Sequence, residues 1–359
     1  MDKTGQSRHD QRVETRRPSL KFASSVLGLV REDRMGIVMP HEHILADFRK
    51  EYDPFYPDLA EQQIRMDMLG RLRRHPTTCL DNLILDDVNL MTAELRLYAA
   101  AGGKTVVDLT CRGPRVHLGA LPLLAQQTGL NIIIGTGLCA PAYYPDTMGV
   151  ETADSLADGF TLKMERGIGE SGIHAGIIGK LVIEEPTDEQ QAKVTRAGAR
   201  ASMRTGAALA IDCDPWAAFD GVHRILQEEG ISPTRVMLCG MDRAMPTDER
   251  RRAADAGYYL LFDHFGQEWY VRGGESRLPR DPERLRELKG LVDQGHLHQL
   301  LISQGINRKM LLTRYGGWGY AHIIKNILPW MMHERFSPKQ ITTITMYNPA
   351  RALAYLSGG

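Results

Sequence analysis

A chain of 359 residues with 44 basic and 44 acidic side chains carries no charge excess that would draw it to nucleic acid or to an anionic membrane surface. It is long enough for one large barrel or two ordinary domains, and no run of about 18 apolar residues is present to span a bilayer. Its five cysteines, Cys79, Cys111, Cys139, Cys213 and Cys239, are odd in number and lack C-x-x-C spacing, so they read as buried free thiols of a cytoplasmic protein.

In chain order, residues 1–19 come first. They are polar and charged, without the apolar stretch of a secretory signal, and read as a disordered tail. Residues 20–359 read as a single domain. Short apolar or β-branched runs follow at Gly36–Met39, Thr105–Leu109, Asn131–Gly135, Ala175–Ile183, Ala208–Ile211, Arg235–Leu238, Tyr258–Phe262 and Gln299–Ser303. Helical patterns separate most of them. Gln190–Thr205 is rich in Ala and Arg, Asp220–Glu229 stops at Gly230, and Pro282–Gln294 stops at Gly295, as glycine after a helix would stop it. Strands alternating with helices imply parallel β-α units. Eight units in roughly 320 residues predict an α/β fold, a (β/α)8 TIM barrel. A doubly wound sheet is the alternative, but no glycine-rich phosphate fingerprint follows the first strand.

Chemistry in such a barrel sits where strands end in loops. The first run ends in His41-Glu42-His43. Residues i and i+2 of an extended segment share a face, so both imidazoles can reach one divalent ion. The bland reading is that they only hydrogen-bond nearby loops. The fourth run carries Lys180, the fifth ends at Asp212-Cys213-Asp214, and the sixth at Cys239-Gly240-Met241-Asp242-Arg243. The seventh ends at Asp263-His264 and the eighth at Ser303-Gln304-Gly305. Cys213 or Cys239 could serve as a thiolate if a neighbouring cation lowered its pKa. Asp242 and Arg243 read as a mutual ion pair supporting the sixth loop. Tyr143 and Tyr144 could close over a ligand from the third loop. Asp263, His264, Trp269, Tyr270, Trp318 and Tyr320 are candidates for the pocket wall, with packing the plain alternative for the aromatics.

Several motifs in one order carry a family resemblance. They are Pro40-His-Glu-His, Ala175-Gly-Ile-Ile-Gly, Arg204-Thr-Gly-Ala, Met241-Asp-Arg, Phe262-Asp-His-Phe-Gly, Tyr315-Gly-Gly-Trp-Gly-Tyr and Asn348-Pro-Ala-Arg. The chain resembles the phosphotriesterase-like family of the amidohydrolase superfamily. That resemblance implies an amidohydrolase-like barrel, a two-metal centre that hydrolyses esters, lactones, amides or phosphoesters, and a homodimer. Carried over by position, the metal ligands are His41 and His43 on the first strand and Lys180 at the bridging place, where relatives have a carbamylated Lys or a Glu. The remaining family ligands are replaced. The fifth-strand histidine falls on Asp212, the sixth-strand histidine on Gly240, and the eighth-strand aspartate on Gly305.

A two-metal site needs ligands for both ions and a bridge between them, and glycine supplies none. The expectation is therefore at most one divalent metal, zinc first, on His41, His43 and Asp212, in a hydrolase of a small-molecule ester, lactone or amide. Two alternatives stay open. One is a metal-independent lyase, isomerase or cyclase in which Lys180 works with Asp212 as acid, base, electrostatic clamp or amine nucleophile. The other is a pseudoenzyme that binds a small molecule or a protein partner without turnover.

Overall fold

The structure is a computed structural model that describes residues 20–214, 216–243, 245–271 and 276–357. The tail reading for residues 1–19 lies outside them. Eight parallel strands follow one another around the sheet in chain order: β1 Ile37–Glu42, β2 Gly103–Asp108, β3 Asn131–Thr136, β4 Ile177–Ile183, β5 Leu209–Cys213, β6 Val236–Cys239, β7 Tyr259–Phe262 and β8 Leu300–Ile302. Each overlaps one of the eight apolar runs. The predicted helices are present as Glu189–Thr205, Phe219–Glu229 and Asp281–Asp293. Asp188 caps the first by accepting from the Gln191 amide at 2.9 Å. Gly230 ends the second in a left-handed conformation.

Side-chain alternation along each strand sorts the barrel into an inside and an outside. Val38, Val107, Ile133, Ile177, Ala210, Met237, Leu261 and Leu301 join one buried cluster that fills the interior. Their neighbours Met39, Val106 and Ile132 pack outward against helices, as do Leu209, Leu238 and Leu260. The small Ala208, just before β5, and Ala210 on it leave room for the large Met237 and Tyr259 in the same cluster. A feature without a sequence signal closes the bottom. Strand Lys21–Ser25 pairs antiparallel with Gly28–Arg31 on one side and Leu356–Ser357 on the other, and Ala23 joins the interior cluster.

The ring shuts between β8 and β1. The Gly305 amide donates to the His41 carbonyl and the His43 amide to the Ile306 carbonyl, each at 3.0 Å. Glu42 is fully buried at this seam and accepts from the Ser303 hydroxyl at 2.8 Å, the Gln304 amide at 2.9 Å and the Ile306 amide at 2.8 Å. Burial outweighs these donors and pushes its pKa up to about 7. Among the described residues, no helix is long and apolar enough to cross a membrane.

Candidate active site

The strand ends carry the chemistry-bearing side chains to one rim, and the histidine pair lies at its closing seam. The Nε2 atoms of His41 and His43 lie 3.2 Å apart. His41 donates from Nδ1 to Asp263 Oδ2 at 2.5 Å, while His43 Nδ1 lies 2.8 Å from the Thr110 hydroxyl. A carboxylate on the far nitrogen is how proteins orient a metal-binding imidazole. Phe48 packs edge-on against His43, with ring centroids 5.0 Å apart, and the Tyr320 hydroxyl donates to the His43 carbonyl at 2.6 Å. Burial, then the nearby Lys180 charge, lowers the His41 pKa. Burial and His41 hold His43 well below its usual value. Both rings are neutral at pH 7.

Lys180 faces the rim from β4, and its Nζ lies 3.3 Å from Asp212 Oδ2. Burial alone would lower its pKa, but the Asp212 carboxylate prevails and raises it. Asp212 in turn has its pKa lowered despite burial, by Arg243 first and Lys180 second. Arg243 donates from Nη2 to Asp212 Oδ1. Its Nη1 is 2.7 Å from Asp214 Oδ2, and its Nε donates to the Gly240 carbonyl at 3.3 Å. Lys180 is thus an ammonium at neutral pH. A charged amine is neither a nucleophile nor a base, so this environment favours the clamp and acid roles expected for Lys180 over the other two.

The two glycines at lost ligand positions have conformations that resist any side chain. Gly240 has φ +69° and Gly305 φ +58°, a left-handed region that L residues rarely adopt. A Cβ on Gly240 would land on the Arg243 guanidinium, and one on Gly305 would sit 2.7 Å from the Asp263 carbonyl oxygen. The residues present therefore do not fit a two-metal centre. The Nε2 atoms of the two histidines lie 3.2 Å apart, within reach of one ion.

The remaining candidates divide. His264 lies 2.7 Å from Asp242 Oδ1 and 3.1 Å from Asp263 Oδ1. Burial works against its charge, but the two carboxylates win and raise its pKa to about 9. Asp242 also accepts from Arg284 Nε at 2.9 Å, so the expected Asp242–Arg243 pair is not formed; the neighbours in sequence face different partners. Among the described residues, the groupings of three ligand atoms close enough to share an ion are His41–Cys239–Asp263 and Asp242–Asp263–His264. Asp212 is in neither, because Lys180 and Arg243 hold it, so the expected His41–His43–Asp212 set is not assembled. Burial raises the thiol pKa of Cys213 and of Cys239 well above the usual range, which removes the thiolate reading.

Trp269 is buried in the core cluster with Ile306, Leu312 and Tyr320, a packing role and not the pocket contact expected. Tyr270 lies under the Arg74 guanidinium, 4.5 Å from its ring centre. Trp318 is 56% exposed and stacks on His322 at 4.7 Å, leaving a face open to a ligand. Tyr143 packs against Phe48, one ring removed from His43, and its buried hydroxyl has no protein partner. The Tyr144 hydroxyl is likewise unpartnered. Thr110 and Glu42 had no signal beyond their place at strand ends.

Residues 21–353 match the phosphotriesterase family. The chain belongs to that family. The N-acetyltaurine hydrolase of Danio rerio is 32% identical over 340 residues, covering 92% of this chain and 97% of that one. A phosphotriesterase-related protein of Nematostella vectensis is 32% identical over 352 residues, with 93% and 99% covered. Among solved structures, a resiniferatoxin-binding protein from Rhodobacter sphaeroides superposes with a TM-score of 0.89 at 30% identity, covering 93% of this chain and 95% of that one. A lactonase from Listeria monocytogenes, at 22% identity and a TM-score of 0.75 over 94% of this chain and all of that one, shares the fold. The phosphotriesterase family is a family of hydrolases, and this chain is a hydrolase-type member of it whose rim departs from the two-metal pattern.

Proposed function

We propose that this phosphotriesterase-family member hydrolyses an ester, lactone or amide bond of a small molecule, with at most one divalent metal at its rim. The observation that carries the reading is a Lys180 ammonium beside a converging His41–His43 pair. The near full-length similarity to N-acetyltaurine hydrolases favours an amide among the three bond types. His41 and His43 would hold a single ion, zinc first, through Nε2. When bound, such an ion polarises a carbonyl or activates water.

The chain's own groups do the rest. Asp263 keeps the His41 proton on Nδ1, so Nε2 faces the pocket with its lone pair. Lys180 gives one hydrogen to Asp212 and has two more to offer an oxyanion forming on the substrate carbonyl. Asp212 cannot act as a free base while two cations hold it, which disfavours the Lys180–Asp212 lyase or isomerase reading. Tyr143 from the third loop and Trp318 from the last are the proposed walls. The chain is further proposed to work in the cytoplasm as a homodimer.

The test is turnover of N-acetyltaurine, p-nitrophenyl acetate and a γ-lactone panel by wild type and Lys180→Met, with metal content measured on the same samples. Hydrolysis of at least one substrate is expected, falling roughly 100-fold or more in the variant, with no more than one zinc per chain. Binding of these compounds without any turnover would favour the pseudoenzyme reading, and full activity in Lys180→Met would remove the lysine from the mechanism.

A further inference from the structure

The family's second metal, by position, should lie between the fifth-strand and sixth-strand ligand places. Here those places are Asp212 and Gly240. Arg243 occupies the space between them. Its guanidinium stands where the first side-chain atom of any residue at 240 would stand. It donates to Asp212 with one terminal nitrogen, reaches Asp214 with the other, and caps the Gly240 carbonyl with Nε. We infer that Arg243 is a built-in cation that takes the place of the second metal ion, and that it positions Asp212 and hence Lys180. This rests on the rim assignment above but uses no step of the proposed hydrolysis.

The charges agree with the geometry. Lys180 and Arg243 both contact Asp212, and Arg243 also reaches Asp214, so each cation has a carboxylate partner at this corner of the rim. A planar fork also fixes its partners in direction, which a flexible ammonium does not do. The missing side chain at 240 is what admits the fork. A side chain at 240 and the guanidinium in this position exclude one another.

Arg243 is a positioning residue, and the test separates its charge from its bulk. Arg243→Met keeps much of the volume and removes the charge; Arg243→Lys keeps the charge and loses the fork; Arg243→Ala leaves a void that a free guanidinium ion could enter. Thermal unfolding is followed for each, with and without millimolar methylguanidinium, against sodium chloride at matched ionic strength. Zinc bound per chain is measured after dialysis against the metal.

Arg243→Met should unfold about 5–10 °C below wild type, because Asp212 loses a buried partner. Arg243→Lys should recover part of that loss. Methylguanidinium should raise the melting temperature of Arg243→Ala and leave wild type unmoved. Wild type should hold no more than one zinc. Equal melting temperatures for Arg243→Lys and Arg243→Met would overturn the inference, since charge at this place would then be immaterial. Two tightly held zinc ions in wild type would overturn it as well. If Arg243→Ala does not fold, the Lys and Met pair decides. Turnover enters none of these readouts, so failure of the proposed hydrolysis is recognised separately.

Discussion

Restoring the eighth-strand aspartate should not restore a metal centre, and the cost can be worked from the backbone. In Gly305→Asp the new residue must adopt φ near +58°, which costs an L residue about 1–2 kcal/mol. Its Cβ would lie 2.7 Å from the Asp263 carbonyl oxygen, closer than such atoms approach, and relieving that overlap adds about 1–3 kcal/mol. The added carboxylate would enter beside Asp263, which is already ionised because His264 and His41 hold its pKa well down against burial. Backbone and overlap alone come to about 2–5 kcal/mol, or roughly 4–10 °C in melting temperature for a chain of this size, and the added charge beside Asp263 comes on top. Gly305→Ala shares the backbone and overlap costs but adds no charge, so it should fall by less. Differential scanning fluorimetry measures both variants, and elemental analysis counts the zinc. Gly305→Asp that melts with wild type and carries an extra ion would refute the reasoning, because the backbone would then have yielded at no cost.

Stability should also depend on pH through His264. Its folded pKa of about 9 lies above the ordinary histidine value of about 6.5, so its contribution is complete below pH about 6.5 and is lost as pH rises through about 9. Denaturant midpoints between pH 7.5 and 9.5 should fall in wild type and fall less steeply in His264→Gln; parallel slopes would remove His264 as the cause. Measuring above pH 7.5 separates this from Glu42, whose raised pKa of about 7 places its own loss at lower pH. Light scattering should give twice the single-chain mass of 40.2 kDa, and a single-chain mass at every concentration would reject the homodimer.

The barrel was legible because its strands are short apolar runs at regular spacing, and burial on both faces leaves no other use for them. β4 begins at Ile177, two residues after the predicted Ala175, because Ala175 and Gly176 pair outside the regular ladder. The histidine pair was legible from i, i+2 spacing alone. Arg243 was not: its sequence neighbour Asp242 offered an obvious partner, yet Asp242 turns to His264 and Arg284 while Arg243 reaches Asp212 and Asp214, contacts created by the pairing of β6 beside β5. Trp269 shows the same limit, since an aromatic in a late loop has no local signal that separates core from pocket. The N-terminal plug was invisible because its strands, such as Lys21–Ser25, are short and only partly apolar.

Glu42 joins Ser303, Gln304 and Ile306 across more than 260 positions of sequence. During synthesis the histidine pair leaves the ribosome early, and the carboxylate between the two rings then waits for nearly the whole polypeptide before its donors exist. The rim is therefore assembled last although its first residues are made first. A product truncated before residue 303 would retain both imidazoles and the lysine yet lack the seam that aligns them, so unfinished chains carry the chemical groups without the site.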